Sequence, residues 1–444
     1  MKSRTLPVAV LLLIAATTLA DRAADDAAWE KICIKQERPL LMETALVSNG
    51  SAAAAIVPAE GEPWSGAAAK LQAAIAAKTG VTLPIVTPTK ITDADWAGRH
   101  LIVIGNLLNN VVFARLYHNY FACADAAYTG HGGYELRSVH DPWGAGHNVI
   151  ALGAQDAAGV EAGLARLVAL VNECAKDGEL KLDRLMELKF TKKGRRAPLE
   201  ERLTAKGIAD RKEAIANIYA RPGTERGAAH QTIKFAMLYH RTGDPGWLEL
   251  YRDAMRRHIN YYATNEYILQ EGPRRYDRDF RDSWAYGMVI AWDLVEEAPG
   301  WSDEERLQFT NHVLRMVWES NLYQGWDRPG SVEHWRKFDS ITHNHHTWPG
   351  LANLFGGWYF SRHYKLPVAK DWLDIAFGMF RSCSRSWKPW EDSAGYQWIP
   401  QRHVLTYALA SGDRTFIEQG HAAQTGKALL QALDSFGRQP ASGD

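Results

Sequence analysis

The sequence has few cysteines, no excess of charge of either sign, and no long apolar run beyond its first twenty residues. The four cysteines, Cys33, Cys123, Cys174 and Cys383, show no C-x-x-C spacing, which argues against a zinc ribbon or a disulfide framework. Fifty-one Lys and Arg balance fifty-one Asp and Glu, so no global field favours binding to nucleic acid or to an anionic membrane. Because a membrane span needs about 20 apolar residues, we expect none.

The first twenty residues have the order of a secretory signal peptide. Lys2 and Arg4 precede an apolar run from Leu6 to Ala16, small residues follow, and the first acidic residue is Asp21. The alternative is a short anchor that escapes cleavage. We expect residues 1–20 to be removed and the mature protein to be exported, either periplasmic or extracellular.

The remaining chain has two halves with different hydrophobic periods. Over residues 21–180, short β-rich runs alternate with amphipathic helices, which predicts an α+β (α/β) domain. A charged segment at 181–202 is expected to be a solvated linker. Over residues 203–444 the period is helical, and thirteen of the seventeen tryptophans lie between Trp247 and Trp398, which separates this half from the first.

The individual elements follow from these periods. Strands are expected at 83–86, 101–104, 134–138 and 149–152. Helices of the first domain are expected at 67–79, 106–120 and 157–171. The second half should contain about nine helices joined by short turns, which predicts antiparallel hairpins in an (α/α) toroid. An α-solenoid would give a similar pattern, but the sequence shows no fixed repeat.

Two strings in the first domain carry a family resemblance. Residues 132–136 and 148–153, with the order of the surrounding elements, resemble the non-catalytic α+β domain that precedes the catalytic domain of hexosaminidases and α-glucuronidases. This resemblance implies an accessory role for the first domain.

The most concentrated polar stretch of the chain is residues 339–349, which ends in Trp348 and Pro349. Proline is tolerated only in the first turn of a helix, so we expect a helix to start near Thr347. Asn344 and His345 would then lie at or just before its amino terminus. Free backbone donors and the positive end of the helix dipole favour a bound carboxylate there.

The residues that follow predict a helical hairpin that returns to the same rim. One helix should run to about Tyr364 and a second should descend to about Ser386, each spanning roughly 25 Å. The next loop, residues 387–398, is dense in aromatic and ionisable groups. Hairpin geometry therefore predicts that Tyr396 lies near His345.

The string Asn344-His345-His346-Thr347-Trp348 resembles the Asn-His-x-x-Trp motif of alginate lyases and heparinase II/III-like polysaccharide lyases. Tyr396, about fifty residues later, is similar in position to their catalytic tyrosine, and the resemblance covers about residues 223–410. It implies β-elimination in an acidic, uronate-containing polysaccharide without a cofactor. Asn344 and His345 would neutralise the uronate carboxylate, and Tyr396 would move protons at C5 and O4.

That family usually continues into a large antiparallel β domain, and the chain shows no such segment before Asp444. About nine helices also fall short of a full double ring. We therefore expect an incomplete toroid.

Elimination chemistry needs residues of these types. Removing the C5 proton adds negative charge beside the uronate carboxylate, so the site must offer hydrogen-bond donors or cations. Tyrosine, with an ordinary pKa near 10, becomes a base only where positive charge stabilises its phenolate. The expected substrate-binding residues are His346, Trp348, Arg274, Arg275, Arg278, Arg281, Arg385, Lys388, Trp390 and Trp398.

Several alternatives stay open. His343, His345 and His346 could ligate a metal, but no matching carboxylate or cysteine motif accompanies them, so we expect no metal site. They could also be core histidines at a helix start. The four arginines of residues 274–281 could clamp carboxylates, yet the interleaved aspartates could equally neutralise them.

Two other functions are compatible with the same half of the chain. A toroid glycoside hydrolase could use Glu391 and Asp392, completed by Asp279 or Asp282. A non-catalytic carbohydrate-binding protein would keep the tryptophan-rich cleft and tolerate the loss of Tyr396.

Overall fold

The structure is a computed structural model that describes residues 26–191, 203–220, 225–264, 284–322, 344–388, 396–435 and 437–438. An α/β part is followed by a helical part, as predicted. The predicted signal peptide and residues 192–202 of the predicted linker lie outside the described residues. Within the described ranges, no helix combines the length and apolar character needed to cross a bilayer.

The α/β part is built around a five-stranded mixed sheet of order β3-β4-β6-β5-β8, beside a small sheet of order β2-β1-β7. The strands are β1 (Thr44–Ser48), β2 (Ser51–Ala52), β3 (Ala54–Pro58), β4 (His100–Gly105), β5 (Tyr134–Val139), β6 (Val149–Ala154), β7 (Leu180–Leu182) and β8 (Met186–Lys189). The helices are α1 (26–32), α2 (Trp64–Thr79), α3 (Asp93–Gly98), α4 (Val111–His118) and α5 (Ala157–Cys174). Strands β3, β4 and β6 are parallel, whereas β5 and β8 are antiparallel additions.

Both faces of this sheet are buried, but against different partners. In β4, Ile102 and Ile104 belong to a core completed by α2 and α5. Leu101 and Val103 point to the other face, where their core continues through α4 into the helical part. This alternation is the period-two pattern of a strand. One hydrophobic core is therefore shared between the two halves of the chain.

The strands predicted at 101–104, 134–138 and 149–152 are confirmed, as are helices at 67–79 and 157–171, within a few residues. The run 83–86 is not a named strand: only Ile85 forms a bridge, to Ile56 of β3. Pro84 has no N–H to donate to a ladder. Strand β8 lies inside the segment predicted to be a solvated linker, and it pairs with β5, so the sheet extends into that segment.

The described residues of the second half contain ten helices, and the pairs α7–α8, α9–α10 and α11–α12 pack as hairpins across short turns. They are α6 (Ala205–Tyr219), α7 (Glu225–Thr242), α8 (Pro245–Thr264), α9 (Ala285–Val295), α10 (Asp303–Leu322), α11 (Asn344–His363), α12 (Pro367–Cys383), α13 (Trp398–Ser411), α14 (Thr415–Glu418) and α15 (His421–Gln431).

Helices α9 and α11 run side by side in the same direction. Near their amino ends, the rings of Tyr286 and Trp348 lie 5.5 Å apart. Near their carboxyl ends, the Tyr359 hydroxyl donates a hydrogen bond to Glu296, which directly follows α9, at 2.8 Å. The amino ends of the two helices therefore open at the same end of the helical part.

A buried cluster of charges ties the segment before β1 to the carboxyl ends of these helices. Arg38 Nε donates to Glu296 at 2.9 Å, and its Nη2 donates to Glu297 at 2.7 Å. Arg306 of α10 donates to the other oxygen of Glu296 at 3.0 Å. Arg38, Glu296 and Arg306 are each less than a tenth exposed. The amino-terminal segment thus packs into the helical part through fully desolvated ion pairs.

Asp293, one turn before this cluster, lines two interior cavities of about 40 and 10 Å³ between the α/β and helical parts. Burial, reinforced by the charges of Glu297 and Glu296 and opposed by that of Arg38, raises the pKa of Asp293 to about 7. Burial withdraws water from the carboxylate and so disfavours its charged form. The native state therefore favours the protonated form of Asp293.

We expect this carboxyl group to make stability depend on pH in a defined window. Because the folded pKa lies above the ordinary value of 3.8, its contribution is complete below about pH 4 and is lost as the pH rises through 7. Urea unfolding of the native chain and of Asp293→Asn at a series of pH values measures the contribution. From pH 4 to pH 8, the native chain should lose on the order of 2–4 kcal/mol of unfolding free energy relative to Asp293→Asn. A difference that stays constant would contradict the expectation.

Candidate functional site

The helix that carries the polar motif starts earlier than the sequence indicates. Helix α11 begins at Asn344, so the start predicted near Thr347 is wrong, and Pro349 lies inside the helix in its second turn. The missing N–H of Pro349 removes only the hydrogen bond to the carbonyl of residue 345, and the remaining turns continue. Asn344 and His345 occupy the first turn, and their side chains lie outside the described residues.

Helix α13 packs alongside α11 in the same direction. Thr347 Oγ1, in the first turn of α11, and His403 Nδ1, in the second turn of α13, form a hydrogen bond at 2.8 Å, and both side chains are buried. One turn further along, Phe380 of α12 stacks on Tyr407 at 5.0 Å and also lies against Gly350. The amino ends of α11 and α13 therefore lie at the same end of the helical part.

Tyr396 precedes α13 by two residues and is 42% exposed. It thus lies at the end of α13 that is hydrogen-bonded to the first turn of α11, where Asn344 and His345 begin the helix. A solvent-reachable phenol beside a helix amino terminus can meet a bound polymer without any rearrangement of the core. The predicted approach of the Tyr396 side chain to that of His345 stays a prediction, because the His345 side chain lies outside the described residues.

We call the end of the helical part where α9, α11 and α13 begin the rim. An aromatic cluster lies beside it, which we define as Trp284, Tyr286, Trp348 and His403. The Trp348 ring lies 4.2 Å from that of His403, 5.5 Å from that of Tyr286 and 6.2 Å from that of Trp284. The guanidinium of Arg402 lies 5.8 Å from the Trp348 ring. Flat rings beside a cation form the kind of wall that orients a sugar residue carrying a carboxylate.

His403 is a neutral imidazole in this setting. Burial, with a smaller contribution from Arg402, holds the pKa of His403 well below its usual range. Its Nδ1 is hydrogen-bonded to Thr347, whereas its Nε2 is buried without a hydrogen-bond partner among the residues that the structure describes. A neutral ring can donate with one nitrogen and accept with the other, so His403 can position Thr347 and Trp348 without adding charge.

The other predicted site residues fall into two groups. His346 and Trp348 are partly buried on α11, Trp398 is partly buried at the start of α13, and Arg385 and Lys388 are exposed just after α12. Gln401 of α13 donates to the Trp387 carbonyl at 2.6 Å, which fixes the end of that segment to α13. Outside the described residues lie Arg274, Arg275, Arg278, Arg281, Asp279, Asp282, His343, Trp390, Glu391 and Asp392.

Sequence reasoning missed Tyr286, Arg402 and His403. Their spacing could have indicated Arg402 and His403, because these residues follow Tyr396 by about two helical turns. Tyr286 adjoins Trp284 in the sequence, but only the packing of α9 on α11 brings it to Trp348.

A metal centre finds no support among the side chains that the structure describes, where no three His, Cys, Asp or Glu residues are grouped to hold an ion. His343 and the side chain of His345 lie outside that set. No protein-family model matches this chain, and no curated protein is significantly similar to it. The family resemblance therefore depends on the motif residues and on the geometry around them.

Proposed function

We propose that this protein is an exported polysaccharide lyase that cleaves a uronate-containing polymer by β-elimination. Tyr396 is the proton shuttle, and Asn344 and His345 neutralise the uronate carboxylate. The observation that supports this most directly is the Thr347–His403 hydrogen bond, because it joins the start of α11 to the helix that Tyr396 precedes. In this proposal, Asn344 and Tyr396, which are 52 positions apart in the sequence, meet at one rim.

The helical part is, in this proposal, an incomplete (α/α) toroid. Helices α9, α11 and α13 run in the same direction, and α10 and α12 connect them as returning hairpins. Helix α7 runs in the same direction as α9. Near its amino end, His230 contacts Trp284 at 5.2 Å, and near its carboxyl end, His240 lines the same cavity as Asp293 of α9. The positive ends of several helix dipoles then face the rim, which favours an anionic substrate.

The reaction balances with these groups. Neutralising the carboxylate acidifies the C5 hydrogen, and the phenolate of Tyr396 takes that proton. The C5–H electron pair forms the C4–C5 double bond as the C4–O4 bond breaks, and the phenol then protonates the departing O4. His346, Lys388 and Arg402 are the described cationic or polar groups at this rim that could stabilise the phenolate.

The experiment that tests the proposal is a panel of alginate, glucuronan, heparan, chondroitin and pectin. β-Elimination leaves a 4,5-unsaturated uronate, so ultraviolet absorbance should grow with at least one polymer. Cleavage to saturated products would instead support the glycoside hydrolase. Binding without turnover of every polymer would support the carbohydrate-binding protein.

A further inference from the structure

The α/β part reaches the aromatic cluster through Tyr120, which follows α4. Its backbone has φ of 69°, a left-handed conformation that is uncommon for a residue with a side chain and costs on the order of 1 kcal/mol. The preceding residue, Asn119, donates a hydrogen bond from Nδ2 to the carbonyl of Ala410 in α13 at 3.1 Å. The turn after α4 is therefore hydrogen-bonded directly to α13, the helix that carries Arg402.

Tyr120 and Tyr286 both pack against Phe355 of α11. The Phe355 ring is 5.9 Å from that of Tyr120 and 6.4 Å from that of Tyr286. Both tyrosines are partly buried. Neither hydroxyl is sealed from solvent or hydrogen-bonded to any residue that the structure describes, so two phenols remain available to an incoming ligand.

Arg402 is the cation of this region. Its side chain is exposed, and its guanidinium has no ion pair or hydrogen bond with the described residues. It lies over the ring of Trp348 at 5.8 Å. Its charge reaches both phenols, because it partly offsets the rise that burial causes in the pKa of Tyr120 and of Tyr286. A guanidinium held close to an indole and two phenols is suited to a ligand that carries a carboxylate and hydroxyl groups.

We propose that Tyr120, Tyr286, Trp348 and Arg402 form a binding subsite for one uronate residue of the substrate. Arg402 pairs with the carboxylate, and the two phenols hydrogen-bond to sugar hydroxyls. The Trp348 ring, which packs against His403, contacts the sugar ring. The α/β part then contributes Tyr120 to this subsite. This inference rests on the proposed function for the acidic polymer as substrate.

Calorimetric binding separates this subsite from turnover. The probes are tetrasaccharides of mannuronate, guluronate and glucuronate, with cellotetraose as the neutral sugar, and the protein is the full chain carrying Tyr396→Phe to suppress elimination. In that background, Arg402→Gln should weaken binding of at least one uronate probe by about tenfold or more and reduce its salt dependence. Tyr120→Phe, which keeps the ring against Phe355, should weaken it severalfold. Cellotetraose binding should change little.

Arg211→Gln is the matched control, because the Arg211 guanidinium also lies over an indole, that of Trp247 at 5.1 Å, but on α6 and α8 rather than on α11 and α13. It should leave uronate binding unchanged. The subsite is overturned if Arg402→Gln binds the uronates as its background does, or if no uronate probe binds. Arg402-dependent binding by a native chain that never yields the chromophore would overturn the lyase and leave the subsite standing.

Discussion

Replacement of Tyr396 by phenylalanine should lower the rate of β-elimination by roughly 10²- to 10⁴-fold, the range expected when a general acid–base is lost. The substitution removes only the hydroxyl, and the ring is 42% exposed, so the native fold should persist. Initial rates of ultraviolet absorbance on the responsive polymer measure the effect. Unfolding curves of the two proteins should coincide.

Tyr134→Phe is the control for this prediction. It removes a phenol from β5 of the α/β part, where the ring packs against Gly163 of α5, away from the rim. It should leave the rate unchanged. His345→Ala should raise the barrier by about 3–4 kcal/mol, the cost of one oxyanion-type donor.

The lyase assignment is wrong if Tyr396→Phe and His345→Ala both retain full activity. It is equally wrong if Glu391→Gln alone abolishes cleavage and the products are saturated. In that second case the carboxylate-dependent hydrolase takes its place, because Glu391 would then be acting as the acid or base at the glycosidic bond.

The central elements of the α/β part were predictable because their signals are local. Strands β4 and β6 are apolar runs bounded by turn residues, and α5 repeats apolar residues at helical spacing. Strand β8 was not predictable, since Met186 to Lys189 is half polar and becomes a strand only by pairing with β5. Its partner, not its own composition, decides its conformation.

The same distinction holds for the candidate site. A turn and two helix lengths predict that the chain returns to the end where α11 begins, and the Thr347–His403 hydrogen bond agrees with that direction for α13. Tyr120 could not be inferred, because it lies 235 residues before Phe355 and reaches it only across the interface between the α/β and helical parts. The buried pairing of Arg38 with Glu296 is hidden for the same reason, since charged residues are normally expected at the surface.

The rim and the buried charge cluster occupy opposite ends of the same helices. Helix α9 spans 11 residues, or about 16 Å, from Tyr286 near its start to Glu296 just after its end. Helix α11 likewise presents Trp348 near its start and Tyr359 near its end. Fixing the carboxyl ends of two parallel helices constrains the relative position of their amino ends, where the aromatic cluster lies.

Glu296→Gln should therefore destabilise the protein by about 3–5 kcal/mol, the cost of removing one partner from a buried ion pair. Glu296 is fully buried and accepts hydrogen bonds from Arg38, Arg306 and Tyr359. Glutamine keeps the shape but leaves Arg38 with Glu297 as its remaining carboxylate partner, and Arg306 with the largely exposed Asp303 at 4.0 Å. Urea unfolding followed by tryptophan fluorescence measures the loss.

The matched comparison is Asp210→Asn, which breaks the ion pair of Asp210 with Lys206 on the surface of α6 at 2.7 Å. Both of those side chains are more than half exposed, so solvent screening should hold the change in free energy to within about 0.5 kcal/mol. If Glu296→Gln costs no more than Asp210→Asn, the buried cluster does not stabilise the contact between the amino-terminal segment and α9. If it shows the larger loss together with weaker uronate binding at temperatures where the chain stays folded, the carboxyl ends of α9 and α11 determine the geometry of the rim.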